Sequence, residues 1–193
     1  MPLPSDEKMI NRRAVLGSHP TALAFVQTPK PAPSSFAREA YFGVTAMRFT
    51  NTQGISRYGR YRILPDAGVE HLDDAAAKSK DANYLFDELT ARVNRDPVGL
   101  EVRVQVAEDG DVVDDAAIRW PEQRAVVPFG RVSLTKIVPE QTTEQKKIIF
   151  DPIPRVDGIE PSGDPLLELR AAIYLLSGRR RRQALLSAAS GHA

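Results

Sequence analysis

The strongest constraint on this chain is a run in which apolar and polar residues alternate strictly. In LEVRVQV, residues 100–106, every even position is apolar and every odd position is polar. Successive side chains of a strand point to opposite faces, so the run predicts a strand with one buried face and one wet face. Short strands are also predicted over 41–64 and 126–134, and such strands favour antiparallel pairing over βαβ units. We therefore expect one antiparallel sheet or partial barrel.

Segment 41–64 has the pattern of a β-hairpin. Apolar residues alternate before the turn NTQG, and aromatic residues recur after it in RYGRYRILP. Arginines lie among these aromatics, and Arg60 and Arg62 share one face of the strand. Two arginines on one face favour an anionic neighbour, and a solvated sheet surface is the alternative interpretation.

Two segments have helical spacing. One covers 81–93, with apolar residues on one side and charged residues on the other. The other begins at Pro165, a favourable first helical position, directly after the capping residue Asp164. It either continues past Gly178 or is interrupted there. Its apolar residues recur at steps of three and four and are predicted to pack against the sheet: Leu166, Leu169, Ile173 and Leu176.

Composition restricts the partners of the chain. A formal net charge of +1 gives no global reason to expect nucleic acid or an acidic membrane, and the absence of cysteine excludes thiolate chemistry. His19, His71 and His192 lie far apart, so no histidine metal cluster is expected. No apolar run approaches the roughly 20 residues that span a bilayer, and the first residues lack a signal-peptide pattern. We expect a cytoplasmic chain, or a periplasmic one if the natural N-terminus lies upstream.

A second stripe on the C-terminal helix carries the most chemistry. Arg170, Tyr174, Ser177 and Arg181 follow at steps of four, three and four, so they share a face of a continuous helix. A guanidinium one turn from a phenol favours the phenolate, which is a hard anionic ligand for ferric iron. On spacing alone, such an arginine and tyrosine are more often a packed pair.

Three longer stretches, found in a fixed order, carry a family resemblance. They are YFGVTAMRFTNTQGISRYGRYRILPDAG, WPEQRAVVPFGRVSLTKIVPE and FDPIPRVDGIEPSGDPLLELRAAIY. Together they resemble the haem catalases, and more closely the C-terminal portion of the small catalase-related peroxidases. The resemblance implies an α+β fold with a barrel-like antiparallel sheet, a partial catalase barrel, and a C-terminal proximal helix. It divides the chain into an extended N-terminal arm and linker (1–40), a catalase-like core (41–182) and a tail (183–193).

The resemblance also implies haem b as cofactor. Tyr174 matches the axial ligand of the iron, a role that tyrosine has in catalase, and Arg170 matches the cation that keeps it ionised. Phe150 would lie near the haem edge. Arg181 would bind a haem propionate, with Arg180 as the alternative residue.

The same resemblance implies a chain of polar contacts on the proximal side. In the family, the acid that matches Asp164 is linked to the proximal arginine through a strand residue. That strand position matches Arg62, where the large catalases have histidine. The departure weakens the expectation of a charge relay at this position.

The activity implied by the resemblance is the reduction of hydrogen peroxide or an organic peroxide, with a small-molecule electron donor. Family catalysis also needs a distal histidine, and His19 matches a helix start instead of that residue. We therefore expect the chain alone to consume peroxide slowly, because peroxide cleavage needs a positioned acid and base. The alternative is a truncated haem-binding or interaction module without catalysis. A homo-oligomer is compatible with either reading.

Overall fold

The computed structural model describes residues 17–139 and 141–190. Its helices are α1 (Pro20–Gln27), α2 (Asp74–Lys78), α3 (Tyr84–Arg95), α4 (Gln141–Lys147) and α5 (Pro165–Ser190). Its strands are β1 (Tyr41–Phe42), β2 (Met47–Thr50), β3 (Ser56–Pro65), β4 (Val98–Val106), β5 (Val126–Leu134) and β6 (Ile159–Pro161). The expectations for the first residues, for His192 and for the end of the tail concern positions outside the described ranges.

Within these ranges, the strands form one antiparallel sheet of six strands in the order β5-β4-β3-β2-β6, and β1 also pairs with β3. The predicted antiparallel pairing of 41–64, 100–107 and 126–134 is thereby confirmed. Directly opposed residues of an antiparallel pair share a face. Arg60 lies opposite Gln105, and Arg62 lies opposite Arg103, so these polar side chains line one face of the sheet.

The predicted hairpin forms between β2 and β3, and its turn follows from two residues. Asn51 Oδ1 accepts hydrogen bonds from the backbone N–H groups of Gln53 and Ile55, each at 2.9 Å. Gly54 has a φ of +79°, a left-handed conformation that glycine adopts without steric cost. The reversal brings Met47 opposite Gly59.

The predicted division of β4 into a buried face and a wet face holds only in part. Val104 is buried as expected, but Gln105, which was predicted to be wet, is only 5% exposed. The loop 107–125 covers this end of the polar face, and the Gln105 side-chain amide donates to the Pro121 carbonyl at 3.0 Å. Alternation shows which residues share a face, but it does not show which loop will cover that face.

The opposite face of the sheet carries an aromatic cluster. The rings of Phe49, Tyr61 and Phe129 meet edge to face, with centroids 5.4 to 5.9 Å apart. Burial raises the pKa of the Tyr61 phenol. Three strands therefore share apolar contacts on this side of the sheet.

The end of the predicted extended arm packs against the rest of the chain. Ser35 is fully buried, and its Oγ accepts a hydrogen bond from the Ala37 N–H at 3.0 Å, which starts a 3₁₀ turn over Phe36–Arg38. Ala37 lies in a buried cluster with Val93 and Val98. The prolines exclude a regular helix just before this turn, but they leave the chain free to reach the core.

Helix α5 is continuous through Gly178 to Ser190. Its start is capped as predicted, because Asp164 Oδ1 accepts a hydrogen bond from the Leu166 N–H at 2.9 Å. The predicted packing face is wrong: Leu166, Leu169, Ile173 and Leu176 are all exposed, whereas Leu167 is 1% exposed. Past its first turn, α5 packs mainly against α4. No described element covers its apolar stripe.

Candidate functional site

The predicted pair on α5 is formed. Arg170 Nη2 donates to the Tyr174 phenol oxygen at 3.4 Å, and its guanidinium carbon lies 5.6 Å from the centre of the Tyr174 ring. Both residues are partly buried. The helix places them one turn apart on a single face, so the cation lies beside the phenol oxygen without help from another element.

The family resemblance also implies two residues around the haem near this helix, Phe150 and Arg181. These two side chains contact each other. The Arg181 guanidinium lies 5.1 Å from the centre of the Phe150 ring, and Nη2 donates to the Ile148 carbonyl at 2.5 Å. The Phe150 ring is 51% exposed. The segment between α4 and α5 therefore presents an aromatic surface with a cation against it.

Arg62 lies on the polar face of the sheet and is stacked on Phe42. Its guanidinium carbon lies 5.6 Å from the centre of the Phe42 ring. Among the described residues, the structure records no hydrogen bond or ion pair that joins Arg62 to Asp164 or to Arg170. A link from Asp164 through Arg62 stays a prediction.

Arg60, on the same face, is buried beneath the loop 107–125, so the alternative of a solvated surface does not hold for it. It is 6% exposed, and its guanidinium carbon lies 4.2 Å from the centre of the Trp120 ring. Nη1 donates to the Ile118 carbonyl at 2.8 Å and Nη2 to the Asp115 carbonyl at 3.2 Å. The strand pattern indicates the face on which Arg60 lies but not its burial. Trp120, which covers Arg60, is the first residue of the stretch WPEQRAVVPFGRVSLTKIVPE, and this tryptophan was the feature of the sequence that could have indicated the burial.

Burial lowers the pKa of the Arg60 guanidinium, and nearby carboxylates oppose that effect, Asp164 more than Asp111 and Asp115. Asp164 is itself 5% exposed. Its Oδ1 caps α5, while its Oδ2 is buried without a hydrogen-bond partner among the described residues. Asp164 is thus the carboxylate that acts most strongly on Arg60, and no ion pair of Arg60 is recorded among the described residues.

The loop that covers Arg60 is held by its own ion pairs. Arg124 binds Asp111 through Nε at 2.9 Å and also contacts Glu108. The hydrogen bond from Arg124, together with one from the Glu108 backbone N–H, lowers the pKa of Asp111. The Trp120 indole donates to the Val112 carbonyl at 2.7 Å. The loop is therefore held by contacts of its own as well as by its contacts with Arg60.

The described histidines lie outside these contacts. His19 is exposed and occupies the residue before α1, as predicted for a helix start. His71 lies on the surface, where its Nε2 contacts Glu39 Oε2 at 3.1 Å.

A polar groove of about 600 Å³ lies beside the β2–β3 turn. Arg48 and Glu160, which form an ion pair across β2 and β6, contribute to its lining. None of the site residues predicted from the sequence lines this groove.

Comparison with known proteins gives the family. The family model for catalase matches residues 18–185. This chain belongs to the catalase family. Members of that family are haem-dependent in general, and the names catalase and peroxidase are those of oxidoreductases.

Two relatives are named catalase-related peroxidase. The chain is 32% identical to the one from Synechococcus elongatus over 182 residues, which cover 94% of this chain and 53% of the relative. It is 35% identical to the one from Mycolicibacterium paratuberculosis over 160 residues, which cover 83% of this chain and 51% of the relative. The chain therefore spans about half the length of these relatives.

Solved structures confirm the α+β catalase fold. A fungal catalase superposes with a TM-score of 0.69 at 21% identity, covering 77% of this chain and 32% of the fungal chain. Catalase A from Saccharomyces cerevisiae gives the same TM-score and identity, covering 77% of this chain and 33% of the yeast chain. None of the described helices is long and apolar enough to cross a membrane.

Proposed function

We propose that this chain forms the proximal side of a haem b site and that the protein to which it belongs reduces peroxide. The observation that carries the proposal is the Arg170–Tyr174 pair, with its 3.4 Å contact, on a helix inside the catalase-family match. Tyr174 is the proposed axial ligand, and Arg170 is proposed to stabilise its ionised form. The proposed substrate is hydrogen peroxide or an organic peroxide, with a small-molecule donor of electrons.

The donor set fits a ferric haem. A phenolate is an anionic oxygen ligand for ferric iron, and Arg170 Nη2 lies 3.4 Å from the Tyr174 oxygen that would provide it. Phe150 offers an exposed ring for contact with a flat apolar group. A guanidinium has five N–H donors, so the bond from Arg181 to Ile148 leaves other donors for a carboxylate. When bound, haem iron would supply the redox chemistry of peroxide reduction.

The chain's own residues have a narrower task than the whole reaction. Arg170 holds positive charge against one side of the Tyr174 oxygen, and the helix fixes the spacing of the two groups. Arg181 holds the Phe150 segment against α5. Proton transfer to and from peroxide, the electron donor and any homo-oligomer belong to the proposal for the whole protein.

Haemin binding to the purified chain tests the ligand. We expect the parent to give a five-coordinate, high-spin ferric spectrum and Tyr174→Phe to lose it, because phenylalanine has no oxygen to ligate iron. Arg170→Lys should retain more affinity for haemin than Arg170→Ala, because lysine keeps the charge without the planar fork. Tyr58→Phe, on β3, is the matched control and should bind like the parent. A Tyr174→Phe variant with the parent's spectrum would show that the ligand is another residue.

A further inference from the structure

Three elements meet around one buried cation. Arg60 comes from the middle of β3, the loop 107–125 covers it, and the start of α5 lies beside that loop. A Cβ atom added at Gly163 would lie 3.8 Å from the Asp114 Cβ, so the loop passes close to the residue before Asp164. The residues nearest this junction are among the most buried polar residues described: Arg60, Gln105 and Asp164.

The contacts of Arg60 hold the loop but do not neutralise the charge. Its two hydrogen bonds end on neutral carbonyls of Ile118 and Asp115, and Trp120 offers the face of an aromatic ring. A charge removed from water is costly unless an opposite charge compensates it. Arg60 Nε is buried without a hydrogen-bond partner among the described residues, and so is Asp164 Oδ2. The two groups have opposite charge, and among the described residues no ion pair or hydrogen bond joins them, so their attraction acts without direct contact.

Asp164 is also the residue that begins α5. Its Oδ1 accepts the Leu166 N–H, and the neighbouring Ser162 N–H donates to the Ala46 carbonyl at 3.3 Å. The carboxylate therefore stands between the sheet and the helix. A shift of this carboxylate would therefore move the first turn of α5, which also contains the buried residue Leu167.

We propose that Arg60 is a positioning residue whose buried charge holds Asp164 and thereby fixes how α5 leaves the sheet. The helix carries Arg170 and Tyr174 two and three turns further on, so this role in haem binding rests on the function proposed above. The strand residue in this proposal is Arg60, whereas the family resemblance implies Arg62. Arg62 lies two residues further along β3, opposite Arg103 and stacked on Phe42.

A double-mutant cycle on the chain without haemin tests the coupling. Arg60→Met removes the charge and keeps most of the side-chain length, and Asp164→Asn removes the charge and keeps a good capping residue. Each single variant raises the equilibrium constant of unfolding by some factor. We expect the factor for the double variant to be at least about fivefold smaller than the product of the two single factors. Arg57→Met, an exposed arginine on the same strand, is the control and should show no coupling with Asp164→Asn. Independent effects would overturn the proposal.

Haemin titration of the same variants tests the positioning role. We expect Asp164→Asn and Arg60→Met to weaken haemin binding by about tenfold or more, with partial recovery in Arg60→Lys, because misplacement of ligating groups is costly. If Arg60→Met does not fold, Asp164→Asn decides alone, since asparagine preserves the cap. Parent-like haemin affinity in folded Asp164→Asn would overturn the role. A parent without a Tyr174-dependent spectrum would instead refute the proposed function, and the cycle would then show only whether the coupling exists.

Discussion

At the scale of single residues, close approach decides which side chains the sheet can hold. Gly59 lies where β2, β3 and β4 are adjacent, and a Cβ atom there would meet Val104 Cγ1 at 2.3 Å and Phe49 Cε2 at 3.1 Å. Glycine is therefore required at this position by space. Gly59 is not one of the described glycines with a positive φ, so backbone conformation is not the reason for glycine here. The aromatic cluster around Phe49 and Tyr61 depends on this gap.

Gly59→Ala should lower the free energy of unfolding by about 1–3 kcal/mol, because an added methyl group in a packed site forces its neighbours to shift. Gly130→Ala on β5 is the matched control, since a Cβ atom there meets nothing within 4 Å. Its effect should lie within about 0.5 kcal/mol. Urea unfolding of both variants measures the difference. Equal effects would mean that Val104 and Phe49 yield without cost.

The residues of the candidate site differ in how far sequence could predict them. Arg170 and Tyr174 lie on one helix, so their spacing alone predicted that they would meet, and the 3.4 Å contact confirms it. Arg60 and Trp120 are distant in sequence, and periodicity cannot show that a loop will bring them together. The roles of Phe150, Arg62 and Arg181 in binding haem remain predictions from the resemblance.

At the scale of elements, long periodic segments were predictable and short ones were not. The strands β3, β4 and β5 and the helices α3 and α5 follow the predicted segments closely. The strand β6 was missed because it has three residues and ends at a proline, too few for an alternating pattern. The helix α4, with the sequence QTTEQKK, has no apolar residue to show a buried face. The helical spacing correctly predicted α5, but the prediction that its apolar stripe packs against the sheet was wrong.

The packing of α5 therefore depends on a residue outside the predicted stripe. Leu167 is 1% exposed, whereas Leu176 on the same helix is 57% exposed. Leu167→Ala should lower the free energy of unfolding by about 2–5 kcal/mol through lost burial and a cavity. Leu176→Ala, the control, should change it by less than about 0.5 kcal/mol in the chain alone. Similar losses in the two variants would mean that the exposed stripe is covered in solution.

At the scale of the whole molecule, the chain carries a near-neutral net charge, with many of its charges in ion pairs. The two catalase-related peroxidases named above are about twice as long as this chain. Several apolar side chains of α5 and β5 are exposed in this chain. The family and fold could be predicted from three motifs, because these follow one another in the family's order from Tyr41 to Tyr174. The placement of the loop over Arg60 did not follow, because it depends on contacts between distant segments.

Carboxylates dominate the expected response of this chain to pH. The described carboxylates whose pKa departs from the ordinary range, Glu70, Glu101, Asp111 and Asp151, are all shifted downward by hydrogen bonds. A carboxylate with a lowered pKa in the folded state stabilises that state fully above its unfolded pKa, which is near 4 for these groups. The contribution is lost as pH falls through the lower, folded-state pKa. Folding stability should therefore decline below about pH 4.

Asp111 should account for more of this decline than the other shifted carboxylates. Its side chain is 6% exposed and bound to Arg124, whereas the Asp151 side chain is 31% exposed and bound to an arginine that is 74% exposed. Water and salt screen the second pair much more strongly. Between pH 7 and pH 3, Asp111→Asn should lose less unfolding free energy than the parent, and Asp151→Asn should lose about as much as the parent. Urea unfolding at both pH values measures this, and a parent-like acid loss in Asp111→Asn would place the sensitive group elsewhere.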